Sequence, residues 1–146
     1  MKDNKLGSVI EGEEYLVLHE FVKKAKEKLS IETWDYLIGG SETETTFKRN
    51  RFALDSLAFR PRVLRDVENV DLTSNFLGHK LRIPVILAPI GSMQDFVEGA
   101  GLAPTLAAAE FGAMHMISST CMPGLEEVAK SGNYPKCCQL YIRGDH

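Results

Sequence analysis

Apolar residues recur along this 146-residue chain with two different periods. Tyr15, Leu18, Val22, Ala25 and Leu29 follow one another at spacings of three and four. That pattern predicts an amphipathic helix with one apolar stripe and a lysine-rich opposite face. Ser30 then stands where an N-cap belongs, and Ile31, Trp34, Leu37 and Ile38 carry a second helix to the stop at Gly39-Gly40. Ser41-Glu42-Thr43-Glu44 fits a capping box, with Glu44 reaching back to the cap, so a third helix is expected over residues 42–54. Three short helices have little core of their own and should pack against something else.

Downstream of an arginine-rich connection the period changes. Residues 72–76 and 80–83 flank Leu77-Gly78-His79 and read as a short hairpin. Residues 84–88 (PVILA) form an unbroken apolar run, as a strand covered on both faces would. An alanine-rich helix is expected over 103–111, with Pro104 tolerable in its first turn. Strands over 114–118 and 137–142 bracket a second helix over 125–130. This β-α-β-α-β alternation is the mark of a parallel sheet with crossover helices. The expected organisation is therefore a helical segment and hairpin over 1–83, followed by the α/β region over 84–146.

Composition narrows the class without naming a function. Hydrophobic residues make up 44% and charged residues 25%, which suits a folded globular chain and excludes a disordered one. No apolar run approaches the 18–20 residues of a membrane span, and no apolar core follows the N-terminal lysines, so neither a membrane segment nor export is expected. The net charge is -3, yet Lys48, Arg49, Arg51, Arg60, Arg62 and Arg65 form a basic island. In an acidic chain with no binding motif around it, this island reads as solvated or internally paired arginines, and no nucleic-acid partner is expected. Cys121, Cys137 and Cys138 contain no CxxC and cannot all pair. Reduced thiols in a cytoplasmic protein, with no metal site, are the expectation.

In parallel α/β folds the chemistry gathers where strands end and run into helices. The first strand ends in Pro89-Ile90-Gly91-Ser92, a turn whose glycine lets backbone approach a planar ligand. The second ends in Ser118-Ser119-Thr120, hydroxyls that suit a carbonyl or phosphate but equally suit a helix cap. On the third, Gln139 and Tyr141 share one face and Leu140 and Ile142 the other. A glutamine inside a buried strand costs roughly 2–7 kcal/mol of desolvation unless its amide is satisfied. Its donor and acceptor match the N–H/C=O edge of a heterocycle, and the phenol nearer the strand end could reach a substrate.

These pieces also carry a family resemblance. Residues 34–145 resemble the N-terminal part of the FMN-dependent 2-hydroxy-acid oxidases and dehydrogenases, the glycolate oxidase, lactate oxidase, mandelate dehydrogenase and flavocytochrome b2 types. The matching segments are DYLIGGSETETTFKRNR, FRPRVLRDV, LGHKLRIPVILAPIGSMQ, MISS, LEEVA and QLYIRGD, in that order. The resemblance implies a (β/α)8 TIM barrel of which this chain holds the first three strands and two helices, so the barrel is incomplete here. It implies FMN as cofactor and oxidation of a small 2-hydroxy acid, lactate- or glycolate-like, to the 2-oxo acid. It places Tyr36 on the substrate carboxylate and Tyr141 on the substrate hydroxyl or carboxylate, as a catalytic and substrate-binding tyrosine. Pro89, Ile90 and Gly91 would lie along the flavin with the Gly91 N–H near N5, Ser118 would bond the ring system, and Gln139 would face its pyrimidine edge. Related enzymes are commonly tetrameric, which implies a homo-oligomer for the whole protein.

The sequence departs from that pattern in places. Where family members often carry His-Pro, this chain has Asp95-Phe96-Val97-Glu98, and Thr120 stands at a position that is aromatic in some members. Gly91 in place of alanine leaves more room at N5. A (β/α)8 barrel typically takes about 250 residues. The catalytic histidine, the carboxylate-binding arginines, the lysine near N1 and the phosphate site have no counterpart in this sequence. His19, His79, His115 and the terminal His146 do not replace the base. The chain alone is therefore expected to be inactive. Two alternatives stay open: a non-catalytic remnant serving as a binding or oligomerisation module, and an FMN barrel with other chemistry, such as isopentenyl-diphosphate isomerase. Tyr36 and the QLY tripeptide favour the hydroxy-acid branch.

Overall fold

The computed structural model describes residues 15–142 and residue 144. The N-terminal segment read for an export signal, the Arg143 and Asp145 positions of the QLYIRGD match, and His146 lie outside the described residues. The chain divides into two compact units, Met1–Ala58 and Phe59–His146.

The first unit holds three helices: α1 (Leu18–Lys28), α2 (Ile31–Ile38) and α3 (Thr45–Asp55). The Glu20 carboxylate accepts the N–H groups of Leu16 and Val17 at 2.6 and 3.2 Å, filling orphan donors at the start of α1. Tyr15 stacks on Phe21 with ring centroids 4.3 Å apart. Ser30 caps α2 as its position predicts, its Oγ accepting the Thr33 N–H at 3.2 Å. The third helix starts later than expected. Residues 41–44 close a turn in which the Glu44 N–H donates to the Ser41 carbonyl at 3.0 Å, with Glu42 and Glu44 both at positive φ. Glu44 does reach back, but to the Gly40 N–H at 3.1 Å, so the predicted capping chemistry stabilises a turn before the helix. Arg51 and Asp55 pair one turn apart on α3. None of the residues in these three helices is buried.

The second unit opens with the hairpin β1 (Ser74–Phe76) and β2 (His79–Leu81), paired Phe76 to His79. The two-residue connection has Leu77 at φ 49° and Gly78 at φ 80°, the doubly positive geometry that matches strand twist. A three-stranded sheet follows: β3 (Ile86–Leu87), β4 (Met114–Ser118) and β5 (Lys136–Gln139). Its order is β3-β4-β5 and both pairings are parallel, crossed over by α4 (Leu102–Phe111) and α5 (Leu125–Lys130). The expected β-α-β-α-β alternation is thus realised, and no closed barrel forms among the described residues.

β4 is the centre of this unit. Met114, His115, Ile117 and Ser118 are all buried, so the strand is covered on both faces. Val128 of α5 and Thr105 and Ala108 of α4 complete the core, with Leu81 from the hairpin. β3 is shorter and more open than its apolar run suggests. It lies at a sheet edge, and Val85 and Leu87 remain exposed there. α4 ends on Gly112 at φ 82°, where the N–H groups of Gly112 and Ala113 return to Ala109 and Ala108 and close a Schellman motif. The Gly112 carbonyl then accepts the Arg82 N–H at 2.7 Å, and the Arg82 guanidinium lies 4.6 Å from the Phe111 ring centroid.

Candidate functional site

The C-terminal ends of β3, β4 and β5 converge on one polar cluster. The last rung of the β4–β5 ladder pairs Ser118 with Gln139. Across that rung the Ser118 hydroxyl donates to Gln139 Oε1 at 3.3 Å. The same Oγ accepts the Thr120 N–H at 3.2 Å and lies 3.0 Å from the Thr120 hydroxyl. Ser118 is only 4% exposed, so these bonds offset a desolvation cost that an unpaired hydroxyl would incur in full.

Thr120 links this pair to the turn after β3. Its carbonyl accepts the Ser92 N–H at 3.2 Å. A Cβ added at Gly91 would meet the Thr120 Oγ1 at 2.6 Å and the Ser118 Oγ at 3.8 Å. The room expected above a glycine at this position is therefore already taken by the threonine hydroxyl. Two further bonds join the loops: Gln94 Oε1 accepts the Met122 N–H at 3.0 Å, and the Met122 carbonyl accepts the Gly101 N–H at 3.0 Å. Gln94, in the 3-10 turn Met93–Asp95, was invisible to pattern reading because its partner is 28 residues away.

Of the positions singled out in the sequence, Gly91, Ser118 and Gln139 thus come together. Pro89 and Ile90 run into the same turn, Pro89 half-buried and Ile90 exposed. Tyr141 follows the end of β5 by two residues and is exposed. β5 stops at Gln139 instead of Ile142 because its partner strand ends at Ser118, which leaves no ladder for Leu140 to Ile142 to join. Tyr36 lies on α2 in the first unit and is exposed.

The cluster is electrically neutral and offers donors. The Gly91 N–H and the Gln139 Nε2 donate to no group among the described residues. Two unpaired donors at the ends of the two strands that flank β4, beside a position where only a glycine leaves space, fit the carbonyl oxygens and ring nitrogen of a flavin. Among the described residues no group of three His, Cys, Asp or Glu could hold a metal ion, and no helix is long and apolar enough to cross a membrane. The three cysteines are free thiols.

His115, read in the sequence as a strand-start residue, is the second residue of β4 and serves the core behind the site. Thr105 Oγ1 donates to the Gly101 carbonyl at 2.8 Å and so accepts from His115 Nδ1 at 2.8 Å, which fixes the proton on Nδ1. Desolvation by burial lowers the His115 pKa from its ordinary 6.5. The folded chain then resists a proton that the unfolded chain accepts. Stability should be flat above pH 6.5, fall as pH drops below it by at most about 1.4 kcal/mol per unit, and level off below the folded pKa. Denaturant titrations from pH 8 to 5 would reveal this slope, and His115→Gln should lose it.

Comparison with known proteins places this geometry. A family described as FMN-dependent dehydrogenase matches residues 25–146. Glycolate oxidase of Spinacia oleracea is 36% identical over 129 residues, which cover 88% of this chain and 35% of the relative. A mandelate oxidase crystal structure superposes with a TM-score of 0.84 at 32% identity, over 90% of this chain and 39% of that one. Another, a mandelate oxidase variant holding a C4a-hydroxy FMN adduct, gives 0.78 at 31% identity, over 84% and 37%. The chain spans about a third of the length of the curated relatives it matches. The matched structures are FMN-dependent TIM-barrel enzymes, and the three parallel strands here form an open segment of such a barrel. Strand order and these likenesses agree: the chain belongs to the FMN-dependent dehydrogenase family of oxidoreductases.

Proposed function

We propose that this chain supplies one wall of the flavin site in an enzyme that oxidises a small 2-hydroxy acid, glycolate- or lactate-like, to the 2-oxo acid. The observation that carries this reading is the strand-end cluster of Gly91, Ser118, Thr120 and Gln139, with its two donors unused. The identity of the glycolate oxidase relative supports the substrate class.

When bound, FMN supplies the acceptor for the two electrons taken from the substrate's α-carbon. The chain's own residues position it. The Gly91 N–H and the Gln139 amide are the donors offered to the ring; Ser118, which the family resemblance also assigns to the ring system, donates its proton to Gln139 Oε1 here and holds the glutamine in place. The family resemblance assigns the substrate carboxylate to Tyr36, on α2, and its hydroxyl or carboxylate to Tyr141, just past the strand end. Contacts of that kind work by orientation, turning the reacting carbon toward the acceptor. The base that removes the substrate proton has no counterpart in this sequence, so we expect the 146 residues alone to show no turnover.

The test is complementation. The chain would be mixed with a polypeptide carrying the remaining barrel strands and the histidine, then assayed for flavin absorbance and for glycolate and lactate oxidation. Flavin uptake and turnover in the mixture, with none from the chain alone, would support the proposal. A soluble, folded pair that takes up no flavin would overturn it.

A further inference from the structure

The hydrogen-bond capacity of Ser118 sets the direction of every proton in the cluster. A serine hydroxyl donates once and accepts twice. Ser118 spends its single proton on Gln139 Oε1, and it accepts the Thr120 N–H. Its remaining contact, 3.0 Å from the Thr120 hydroxyl, must then be a second acceptance, so the Thr120 O–H is the donor. The chain of donation runs Thr120 to Ser118 to Gln139. It occupies a lone pair of the Gln139 carbonyl and turns the amide nitrogen away from Ser118.

We propose that Thr120 is a positioning residue for the cofactor edge, acting through Ser118 to hold Gln139 with its NH2 group outward as a donor. The role is not foreshadowed by the residue type, because a threonine in a loop ordinarily caps or solvates. Two features of the structure single it out. Its Oγ1 lies 2.6 Å from where a Cβ at Gly91 would stand and 3.0 Å from the Ser118 Oγ, so the hydroxyl is held between the β3 turn and Ser118. Its carbonyl is also pinned by the Ser92 N–H, which leaves the loop little freedom to withdraw. Reversed donation would point the Ser118 proton at Thr120 Oγ1 and free the Gln139 carbonyl. The amide could then rotate and present either end. The relay removes that ambiguity and selects an acceptor, a ring carbonyl, as the ligand group opposite Gln139.

This inference rests on the flavin reading above, and the experiment separates the two. In the full polypeptide that carries this sequence, FMN affinity would be measured by quenching of flavin fluorescence for the parent, Thr120→Val, Thr120→Ser, Gln139→Leu and the double variant Thr120→Val/Gln139→Leu. Thr120→Val keeps the shape and removes the hydroxyl, and we expect it to weaken FMN binding about five- to tenfold. Thr120→Ser, which restores the donor, should bind within about twofold of the parent. In the Gln139→Leu background, Thr120→Val should change affinity by less than about twofold, because the group it positions is gone. A purely structural role for Thr120 predicts equal losses in both backgrounds and overturns the proposal, as does Thr120→Val binding like the parent. A parent that binds no FMN overturns the flavin reading and this inference with it. Thr120 is exposed, so the valine variant should fold; Thr120→Ala gives the same comparison by a smaller change.

Discussion

Ile117→Ala should destabilise the second unit by roughly 2–5 kcal/mol, and Ile117→Val by about 0.5–1.5 kcal/mol. Ile117 is 2% exposed in the central strand, between two neighbours that are also buried or half-buried. Removing three carbons there loses their transfer energy and leaves a cavity, because β4 is fixed on both sides by parallel ladders and cannot collapse inward. Against a typical total of 5–15 kcal/mol, the alanine variant forfeits a large share of the stability. Urea denaturation followed by circular dichroism would give both values. A loss below about 1 kcal/mol for the alanine variant would mean that β4 is not the packed centre described above.

Ser118→Ala should be the second large effect, about 2–3 kcal/mol, although it deletes a single oxygen. The Thr120 N–H, the Thr120 hydroxyl and Gln139 Oε1 all lose the partner they share. Thr120 is exposed and water can satisfy its groups, so the cost concentrates on the half-buried Gln139 carbonyl. FMN affinity should fall more than for Thr120→Val, by about 30- to 100-fold, because the glutamine then has no anchor at all. Ser118→Thr, which keeps the hydroxyl, distinguishes loss of the bond from loss of volume. If Ser118→Ala leaves flavin affinity unchanged, the rung between β4 and β5 does not serve the ligand.

Much of this was legible in the sequence, for reasons that differ from element to element. α2, β4 and α5 could be read to the residue because their signals are local: a serine cap, an apolar run between Gly112 and Ser119, a glycine before Leu125. α3 starts later than its sequence predicts because a capping box and a glutamate-closed turn use the same four residue types. Only the positive φ at Glu42 and Glu44 tells them apart. β5 is shorter than its sequence predicts because alternation persists through Ile142, whereas a strand lasts only as far as its neighbour does. The same limit applies to the site. Gly91, Ser118 and Gln139 stand out singly as strand-end residues, but the meeting of Gly91 with Thr120, and of Gln94 with Met122, depends on two loops folding across each other. Distances along the chain of 28 residues or more carry no periodic trace.

The Schellman motif at Gly112 has a consequence for how this unit can change over time. It lies at the N-terminal ends of the strands, where the Arg82 N–H and guanidinium latch the hairpin onto the end of α4. The polar cluster lies at the other end of the same strands. A substitution at Arg82, Phe111 or Gly112 therefore taxes persistence of the fold while leaving the ligand-facing donors in place. One at Gly91 or Thr120 alters what can be held while sparing the latch. Separated in this way, the two ends can drift independently, and new ligand preferences can be sampled at one without dismantling the other.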